Sequence, residues 1–374
     1  MAVLTEEQAM LQDMAKGWVQ EKSPVTAFRK LRDSGAGQGF DVSAWREMAE
    51  MGWAGVIIPE AYGGSNFGYL SLGLVLEETG RTLTASPLLV SAAAASALVL
   101  GGSDAQKAEW LPRLADGSAV GTLAIDEGPR HAPERTALKA ERTGDGWTLT
   151  GRKAMVLEGM AADMVVVAAR TAGEPGARQG IDLFVVPADA HGISRERLAL
   201  ADSRGAANIR FDGVTVGADA QLAGGWDLLD KVLDRARACL CAEMLGAAWQ
   251  AFDITVDYLK TRVQFGHVIG AFQALQHRAA AMLMNLELSR SAMEAALAAI
   301  DADRPDVPEL VSAAKAKVGD TFHEVSREMV QMHGGIGMTD AHDAGFYLKR
   351  ARAAENAFGN QAFHRDRYAR LQGY

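Results

Sequence analysis

YLKTRVQFGHVIGAFQALQHRAAAMLMNLELSR, residues 258–290, is the stretch from which the fold of this chain can best be predicted. It predicts a helix that ends near Arg262, a short loop, and a second helix that begins near Ala271. Apolar residues of the second helix recur on a 3.6-residue period, which predicts one buried stripe along it. The members of this stripe are Leu275, Ala279, Met282, Leu286, Met293 and Leu297.

Polar residues interrupt the apolar pattern at the turn between these helices. Arg262, Gln264 and Gln273 lie where the helices cannot use them for packing. A cation, amides and an aromatic ring, here Phe265, beside a helix start suit a diphosphate and a heteroaromatic ring. A helix hairpin with a solvated polar elbow is the other interpretation, and the loop alone leaves both open.

A second stretch, QMHGGIG at 331–337, follows another amphipathic helix. Adjacent glycines at a helix end allow a second backbone or a ligand to approach closely. The helix before the glycines again carries one apolar stripe on the same period. Its members are Val311, Ala314, Val318, Phe322, Val325 and Met329.

The pattern RxQFG, followed six residues later by Gln, and the pattern QxxGGxG together resemble the C-terminal domain of the acyl-CoA dehydrogenase flavoprotein family. The resemblance implies FAD as the cofactor. It implies that the first loop meets the diphosphate and adenine of an FAD held by a neighbouring protomer, and that the Gln–Gly–Gly segment closes over it. The implied contact residues are Arg262, Gln264, Phe265, Gln273, Gln331, Gly334 and Gly335.

Length and composition limit the classes of protein to which this chain can belong. The 374 residues are enough for two or three substructures, and the net charge of −9 argues against a general nucleic-acid or anionic-membrane binder. The N-terminus MAVLTEEQAML carries acids where a signal peptide needs bases, and the most apolar run, Leu88–Leu100, is too short to span a bilayer. Cys239 and Cys241 lie on different faces of an apolar helix and are expected to be core thiols. We expect a cytoplasmic protein.

The order of elements extends the resemblance to nearly the full chain. We predict a helical domain over 1–120, a β-barrel domain over 121–224 and a four-helix-bundle domain over 225–374. The predicted fold is mainly α with a central β domain and is acyl-CoA dehydrogenase-like. Within the first domain, Leu70–Gly80 is predicted as a surface helix and Pro87–Leu100 as a buried one.

Turn signals divide the predicted β domain and the C-terminal helices. Thr143–Gly146 is predicted to join a hairpin, residues 171–180 a second one, and Asp212–Gly213 to form a further turn. The C-terminal helices are predicted at 226–262, 271–302, 308–331, 341–356 and 361–371. Long helices with short connections indicate an antiparallel bundle, and their small residues leave room for a subunit interface.

In the β domain the resemblance implies that TLAIDEG (122–128) and KAMVLEG (153–159) hold the flavin ring. Main-chain groups near Ile125 and Asp126 would face its pyrimidine edge. The chain departs here from the commonest family pattern. Met155 and Leu157 replace the usual Trp and Thr, and Asp126 replaces a Thr.

The catalytic base is the main departure. The family reaction needs a carboxylate that removes the α-proton of an acyl-CoA thioester. The resemblance places the usual Glu at Phe358 and the minority position at Ala236, so both are empty. Glu243 shares a helix face with Ala236 and is the predicted substitute, the alternative being a buried ion pair with an arginine such as Arg237 or one on a neighbouring helix. Two further carboxylates could replace the base, Glu355 and Asp343. The alternative for Glu355 is a solvated residue at a helix end. The alternative for Asp343 is that it caps a helix together with Asp340.

Three functions therefore remain open from the sequence. The first is an FAD-dependent acyl-CoA dehydrogenase, with an acyl-CoA substrate and electron-transfer flavoprotein as acceptor. The second is a catalytically silent subunit of a heterotetramer whose partner carries the base, as in bacterial relatives acting on steroid-derived thioesters. The third is an oxidase or oxygenase on the same scaffold. The resemblance implies a homodimer, homotetramer or heterotetramer, and the histidines lack metal-ligand spacing, so no metal is expected.

Overall fold

A computed structural model describes residues 4–35 and 37–374. Residues 1–3, which begin the acidic N-terminus used in the signal-peptide argument, lie outside the described residues, as does Ala36. The chain divides into two compact units. The first consists of residues 1–29, 73–84 and 237–374, and the second of residues 30–72 and 85–236. The domain boundaries near 120 and 224 stay predictions.

Helices make up most of the described chain. The α-helices are α1 Glu6–Lys22, α2 Val25–Ser34, α3 Val42–Glu50, α4 Gly68–Arg81, α5 Leu88–Gly101, α6 Asp104–Ala115, α7 Gly225–Thr261, α8 Gln273–Asp301, α9 Val307–His333, α10 Ala344–Asn356 and α11 Gln361–Leu371. The C-terminal helices α7 to α11 match the predicted ones to within a few residues at each end. Mainly helical architecture with a curled sheet confirms the predicted fold class.

The apolar stripes of α8 and α9 face the interior of the first unit. All six predicted stripe residues of α9 are buried, as are Met282, Leu286, Met293 and Leu297 of α8, while Leu275 and Ala279 are half-buried. Helix α9 packs against α8, α10 and α11. The 3.6-residue period therefore identified the buried face of each helix correctly.

Helix α4 is buried, so its prediction as a surface helix was wrong. Every residue from Ser71 to Gly80 is buried. Glycines explain the error: a Cβ atom on Gly80 would lie 2.1 Å from the carbonyl oxygen of Glu243, and one on Gly246 would lie 1.8 Å from that of Glu77. The backbones of α4 and α7 are thus in direct contact, which hides a face that the polar residues of α4 made look exposed.

A buried acid and an arginine of α4 each form an ion pair inside the first unit. The Glu77 carboxylate accepts a hydrogen bond from Nη2 of Arg290 at 2.9 Å, and Arg81 pairs with Asp253. Burial raises the pKa of Glu77 to about 7, against the opposing effect of Arg290. The folded protein therefore holds the Glu77 proton more tightly than the unfolded chain does.

This raised pKa gives stability a pH dependence with a defined sign. The contribution of Glu77 is fully present below pH 4.5 and is lost as pH rises through 7, a change of up to about 3 kcal/mol. We expect Glu77→Gln to remove this component, so that the free energy of unfolding in urea falls less between pH 4.5 and 7.5 than in the wild type. Equal pH slopes for the two proteins would contradict the assignment. Exposed Glu21→Gln, on α1, is the control.

The second unit contains a twisted, curled sheet. The strands of the whole described chain are β1 Gly121–Ala124, β2 Lys139–Thr143, β3 Gly146–Leu157, β4 Met164–Arg170, β5 Ile181–Pro187, β6 Ile193–Arg197, β7 Ala206–Gly217, β8 Val263–Gln264 and β9 His267–Val268. Strands β1 to β7 form one sheet in the order β1-β4-β2-β3-β7-β6, with β5 paired to β4. The turn between Thr143 and Gly146 and the loop 171–180 both join antiparallel strands, which confirms the two predicted hairpins.

Asp212 and Gly213 do not form the predicted turn between strands. They lie within β7, where both stand opposite the single residue Thr150 of β3. Gly213 has a φ of 65°. This pair is a β-bulge, which requires the same left-handed glycine that an Asp-Gly turn requires, so the local sequence signal could not distinguish them.

Candidate functional site

The loop 262–272 projects from the end of α7 in the first unit. Strands β8 and β9 pair around a two-residue turn, Phe265–Gly266, in which φ is 57° and 80°. Two positive φ angles are typical of the tight turns of β-hairpins, but a phenylalanine there is strained. The Phe265 side chain is 87% exposed. A bulky aromatic residue held in a strained, exposed turn indicates a contact outside this chain.

The polar residues predicted around this hairpin share its exposure. Arg262, Gln264 and Gln273 are all exposed, and the ring of Phe272 lies 6.2 Å from that of Phe265 in an edge-to-face arrangement. The hairpin therefore presents a cation, amides and an aromatic ring together. This is the grouping that the sequence predicted for a diphosphate and a heteroaromatic ring.

The glycine segment lies beside the end of α7 in the same unit. The Tyr258 ring stacks on the His333 ring with 4.3 Å between centroids, and His342 packs at 4.3 Å on that imidazole. Burial lowers the pKa of His333, whose Nδ1 hydrogen-bonds the Met329 carbonyl oxygen at 2.7 Å. Gly334 has a φ of 64° and is exposed. The stack thus fixes the start of the exposed segment.

Around these glycines lie further exposed residues. Gln331 and Gly335 are exposed, and Met338 is 78% exposed. Ile336 of the same segment is exposed, and so are several apolar side chains of the hairpin and α8, which include Val263, Val268, Leu283, Met284 and Leu288. Apolar surface of this extent is typical of a surface that a second chain covers.

In the second unit, the segment after β1 is fixed by buried bonds. Lys153 is 0% exposed, and its Nζ donates to the Ile125 carbonyl at 2.9 Å and to the Glu127 carboxylate at 2.7 Å. The Asp126 carbonyl accepts from the Ala154 N–H at 2.7 Å. Burial lowers the pKa of Lys153, and Glu127 opposes that shift. Both carbonyls of Ile125 and Asp126 are therefore turned toward β3.

The opposite side of this segment carries backbone donors. Within the part of the chain that the structure describes, the N–H groups of Asp126 and Glu127 donate to no protein acceptor. The Asp126 carboxylate contacts Nδ1 of His131 at 2.9 Å and accepts from the Ala132 N–H at 3.2 Å. Sequence reasoning named Asp126 but missed the roles of Lys153 and His131.

The two segments KAMVLEG and TLAIDEG lie close together in the sheet. Thr122 Oγ1 donates to the Leu157 carbonyl at 2.6 Å. Met155 has a φ of 55° and is exposed, and its N–H approaches Oδ1 of Asn208 at 3.4 Å. The structure therefore brings Ile125, Asp126, Met155 and Leu157 to one region of the second unit.

Both positions that the resemblance gave for a base are apolar and buried. Ala236 lies in α7, and Phe358 follows α10 with a φ of 56°. The Phe358 carbonyl accepts from Nε of Arg237 and Nε2 of His364, both at 3.1 Å. Burial lowers the pKa of His364, so its imidazole is neutral with the proton on Nε2.

A buried lysine fixes the same loop from α9. Lys315 is 1% exposed, and its Nζ donates to the carbonyls of Ala354, Glu355 and Gly359 at 3.3, 3.1 and 3.0 Å. Burial lowers the pKa of Lys315 to about 8. Sequence reasoning missed this residue, although its position four residues after Val311, on the apolar face of α9, was a usable signal.

Glu243 lies in an ion pair with α10. Its Oε1 accepts from Nε of Arg350 at 2.9 Å and from Nη2 at 2.8 Å, and both side chains are largely buried. This is the ion-pair alternative considered for Glu243, with an arginine of a neighbouring helix. The role of Glu243 as a base stays a prediction.

The other two carboxylates do not have the predicted environments. Glu355 is buried, so its description as a solvated helix end was wrong; it contacts His323 at 3.1 Å and Arg352 at 2.7 Å. Asp343 makes no side-chain capping bond to α10. Its carboxylate pairs instead with Arg29 at 2.6 Å. Pairing with arginine satisfies this acid better than the helix N–H groups do.

Within residues 4–35 and 37–374, no group of three or more His, Cys, Asp or Glu side chains is placed to hold a metal ion. None of the helices in these residues is long and apolar enough to cross a membrane. Cys239 and Cys241 are buried and form no disulfide within the described residues, which agrees with their prediction as core thiols. Burial raises the pKa of Cys241 to about 12.

Family models cover most of the chain in three parts. The model "Acyl-CoA dehydrogenase, N-terminal domain" matches residues 5–118, "middle domain" 126–214 and "C-terminal domain" 223–372. A relative, the acyl-CoA dehydrogenase IpdE2 of Mycobacterium tuberculosis, is 31% identical over 350 residues. The alignment covers 93% of this chain and 92% of IpdE2.

Solved structures agree with these matches. The Tcur3481–Tcur3483 steroid ACAD is similar with a TM-score of 0.90 and 31% identity, covering 98% of both chains. The ChsE4–ChsE5 complex from Mycobacterium tuberculosis is similar with a TM-score of 0.91 and 27% identity, and the match covers 100% of both chains. A structure described as an FAD-dependent dehydrogenase is similar with a TM-score of 0.89 and 27% identity, and the match covers 100% of this chain and 99% of the other.

Proposed function

Because this chain belongs to the acyl-CoA dehydrogenase family, we propose that it catalyses α,β-desaturation of a CoA thioester. In this reaction a carboxylate would take the proton of the Cα–H bond, and FAD, when bound, would accept the hydride of the Cβ–H bond. The electron pair left at Cα forms the new double bond. Electron-transfer flavoprotein is the proposed acceptor of the electrons that FAD then carries.

FAD is the cofactor that family membership and the FAD-dependent dehydrogenase structure support. The residues of the second unit fit its flavin ring. The N–H groups of Asp126 and Glu127 supply donors for the pyrimidine edge, whose polar atoms are mainly acceptors. The buried bonds from Lys153 and Ala154 hold these donors in place before any ligand arrives. We propose Ile125, Asp126, Met155 and Leu157 as the flavin-ring contacts.

The other end of FAD is proposed to lie against the first unit of a second chain. Phe265 and Arg262 on the exposed hairpin would meet the adenine and diphosphate, with Gln264 and Gln273 beside them. Gln331, Gly334 and Gly335 would close over the cofactor. The exposed apolar side chains on the hairpin and α8 support a second chain as the covering partner. That chain is a second copy in a homo-oligomer, or a related subunit in a heteromer.

The Glu243–Arg350 ion pair bears on which group would accept the α-proton of the substrate. If Glu243 is the base, it must leave or share Arg350 when substrate binds, because two N–H donors of Arg350 occupy its Oε1. If Glu243 stays with Arg350, a partner subunit supplies the base. The second candidate function, a subunit of a heteromer, follows from this geometry and from the two-protein assemblies named among the similar structures.

Anaerobic titration with a panel of acyl-CoAs tests the proposal. We expect the purified chain to carry flavin absorbance that bleaches with at least one acyl-CoA, and Glu243→Gln to slow bleaching by about 10²–10⁴-fold. Asp257→Asn, an exposed change on the same helix, is the control. Bound flavin that no acyl-CoA bleaches would reject the stand-alone enzyme in favour of the heteromeric subunit. Rapid reoxidation by oxygen after dithionite reduction would instead favour an oxidase or oxygenase.

A further inference from the structure

We propose that Arg29 is a positioning residue for cofactor binding. It holds the loop 338–343, and through this loop the exposed glycines of QMHGGIG (331–337), in the conformation that closes over FAD. The inference rests on the proposed function, which assigns this segment to the cofactor. It adds a residue of helix α2 that lies 311 positions before Asp340 in the sequence and that sequence reasoning did not single out.

The middle of the glycine segment is open to its surroundings. A short 3₁₀ helix covers Gly334–Met338, and a Cβ atom added to Gly334 or Gly335 would meet nothing within 4 Å among the described residues. Glycine loses more conformational entropy on ordering than any other residue, so an open segment of this kind depends on contacts at its ends. At its start, the rings stacked on His333 supply such contacts.

At its other end, Arg29 bonds to the turn that leads into α10. Its Nη1 donates to the Asp340 carbonyl oxygen at 2.7 Å and lies 3.2 Å from Oδ2 of the same residue. Its Nη2 pairs with Oδ1 of Asp343 at 2.6 Å, and its guanidinium carbon lies 4.5 Å from the centroid of the Phe346 ring. One side chain therefore joins a backbone carbonyl, two carboxylates and an aromatic ring, which the planar fork of an arginine can do.

The charges of the turn increase its dependence on Arg29. Asp340 and Asp343 lie three residues apart and face the same guanidinium group, so without this cation they repel each other. The Arg29 side chain is only 25% exposed, which limits screening by solvent. Loss of Arg29 would thus remove its bonds and also separate the two ends of the turn. The glycine segment would then exchange between conformations, only some of which can close over a cofactor.

Cofactor affinity and local hydrogen exchange test this role. The apparent affinity for a ligand falls with the fraction of protein in the competent conformation, so we expect Arg29→Met to bind FAD at least about tenfold more weakly, measured by flavin fluorescence on the full chain. Amide exchange of residues 334–343 in the FAD-free full chain, followed by mass spectrometry, should be at least about tenfold faster than in the wild type. Methionine retains an apolar stem of similar length over Phe346 but has no donor.

The conservative variant Arg29→Lys should recover part of both losses. Lysine retains the charge, but it cannot bond the carbonyl and both carboxylates in the fixed geometry of the fork. Lys30→Met, an exposed change on the same helix, should alter neither measurement. If Arg29→Met does not fold by circular dichroism, Asp340→Asn/Asp343→Asn removes the same ion pairs from the other side. That double variant should give both effects to a smaller extent, because the carbonyl bond remains and the repulsion is gone.

The outcomes separate this inference from the proposed function. Exchange of residues 334–343 at the wild-type rate in Arg29→Met would overturn the inference while FAD binding stands. Faster exchange with unchanged FAD affinity would also overturn it, because Arg29 would then hold the loop without positioning the segment for the cofactor. A wild type that binds no FAD would reject the proposed function, and the role of Arg29 in it, whatever the exchange rates.

Discussion

In the Glu243→Gln protein, Phe358→Glu is expected to speed acyl-CoA-dependent flavin bleaching by about 10²–10⁴-fold, the usual contribution of a positioned general base. The backbone of Phe358 is held by Arg237 and His364 through its carbonyl, and Lys315 holds the carbonyls on either side. These bonds do not involve the Phe358 side chain. A glutamate would therefore enter a loop whose conformation is already fixed, at the position where the resemblance places the family's base.

Burial favours this substitution chemically. Phe358 is buried, and burial raises the pKa of a carboxyl group toward the range useful for a base. Phe358→Gln is the control, since it has the same length and polarity without a basic oxygen. Stopped-flow absorbance at the flavin band measures both variants. Equal bleaching rates for the Glu and Gln proteins would show that this loop does not face the substrate.

Lys315→Met is expected to lower the free energy of unfolding by about 2–4 kcal/mol. The variant leaves three buried carbonyls without their shared donor, and each unsatisfied carbonyl costs about 1–3 kcal/mol of stability. Part of this loss is offset because the variant no longer buries an ammonium group. Combined with Phe358→Glu, it should also remove the gain in bleaching, because the loop is no longer held. Urea unfolding followed by circular dichroism measures the first effect.

The pH dependence of this variant distinguishes the lysine from a general packing defect. The pKa of Lys315 is lowered to about 8, so between pH 8 and 10.5 the unfolded chain keeps a proton that the folded protein has released. The contribution of Lys315 to the stability of the wild type therefore rises over that range. The difference in free energy of unfolding between the wild type and Lys315→Met should accordingly grow from pH 7.5 to 9.5. A constant deficit would point to packing alone. Lys260→Met, on the exposed end of α7, should show neither effect.

Periodicity and turn chemistry predicted those parts of the fold that depend on local sequence. The stripes of α8 and α9, the two hairpins and the breaks near Gly266 and Gly334 all follow from neighbouring residues along the chain. The family resemblance supplied the fold class and FAD. The positions of the flavin-contact residues on exposed or preorganised segments agree with the proposed role, which experiment has to test.

Contacts between distant segments were not predictable in the same way. Helix α4 carries polar residues that look exposed, and only its contact with α7 through glycine shows that they are buried. The acids Glu355, Asp343 and Glu243 each pair with an arginine or histidine that lies on another turn or another helix. A single sequence shows that such charges exist, but their partners depend on the three-dimensional arrangement.

The reciprocal glycines of α4 and α7 constrain how this protein can diverge. Gly80 meets the backbone of Glu243, and Gly246 meets the backbone of Glu77, so one interhelical spacing positions both glutamates. A methyl group at either glycine would separate the helices and disturb the pairs with Arg290 and Arg350 together. Substitutions at these glycines are therefore expected to be epistatic with substitutions in both ion pairs.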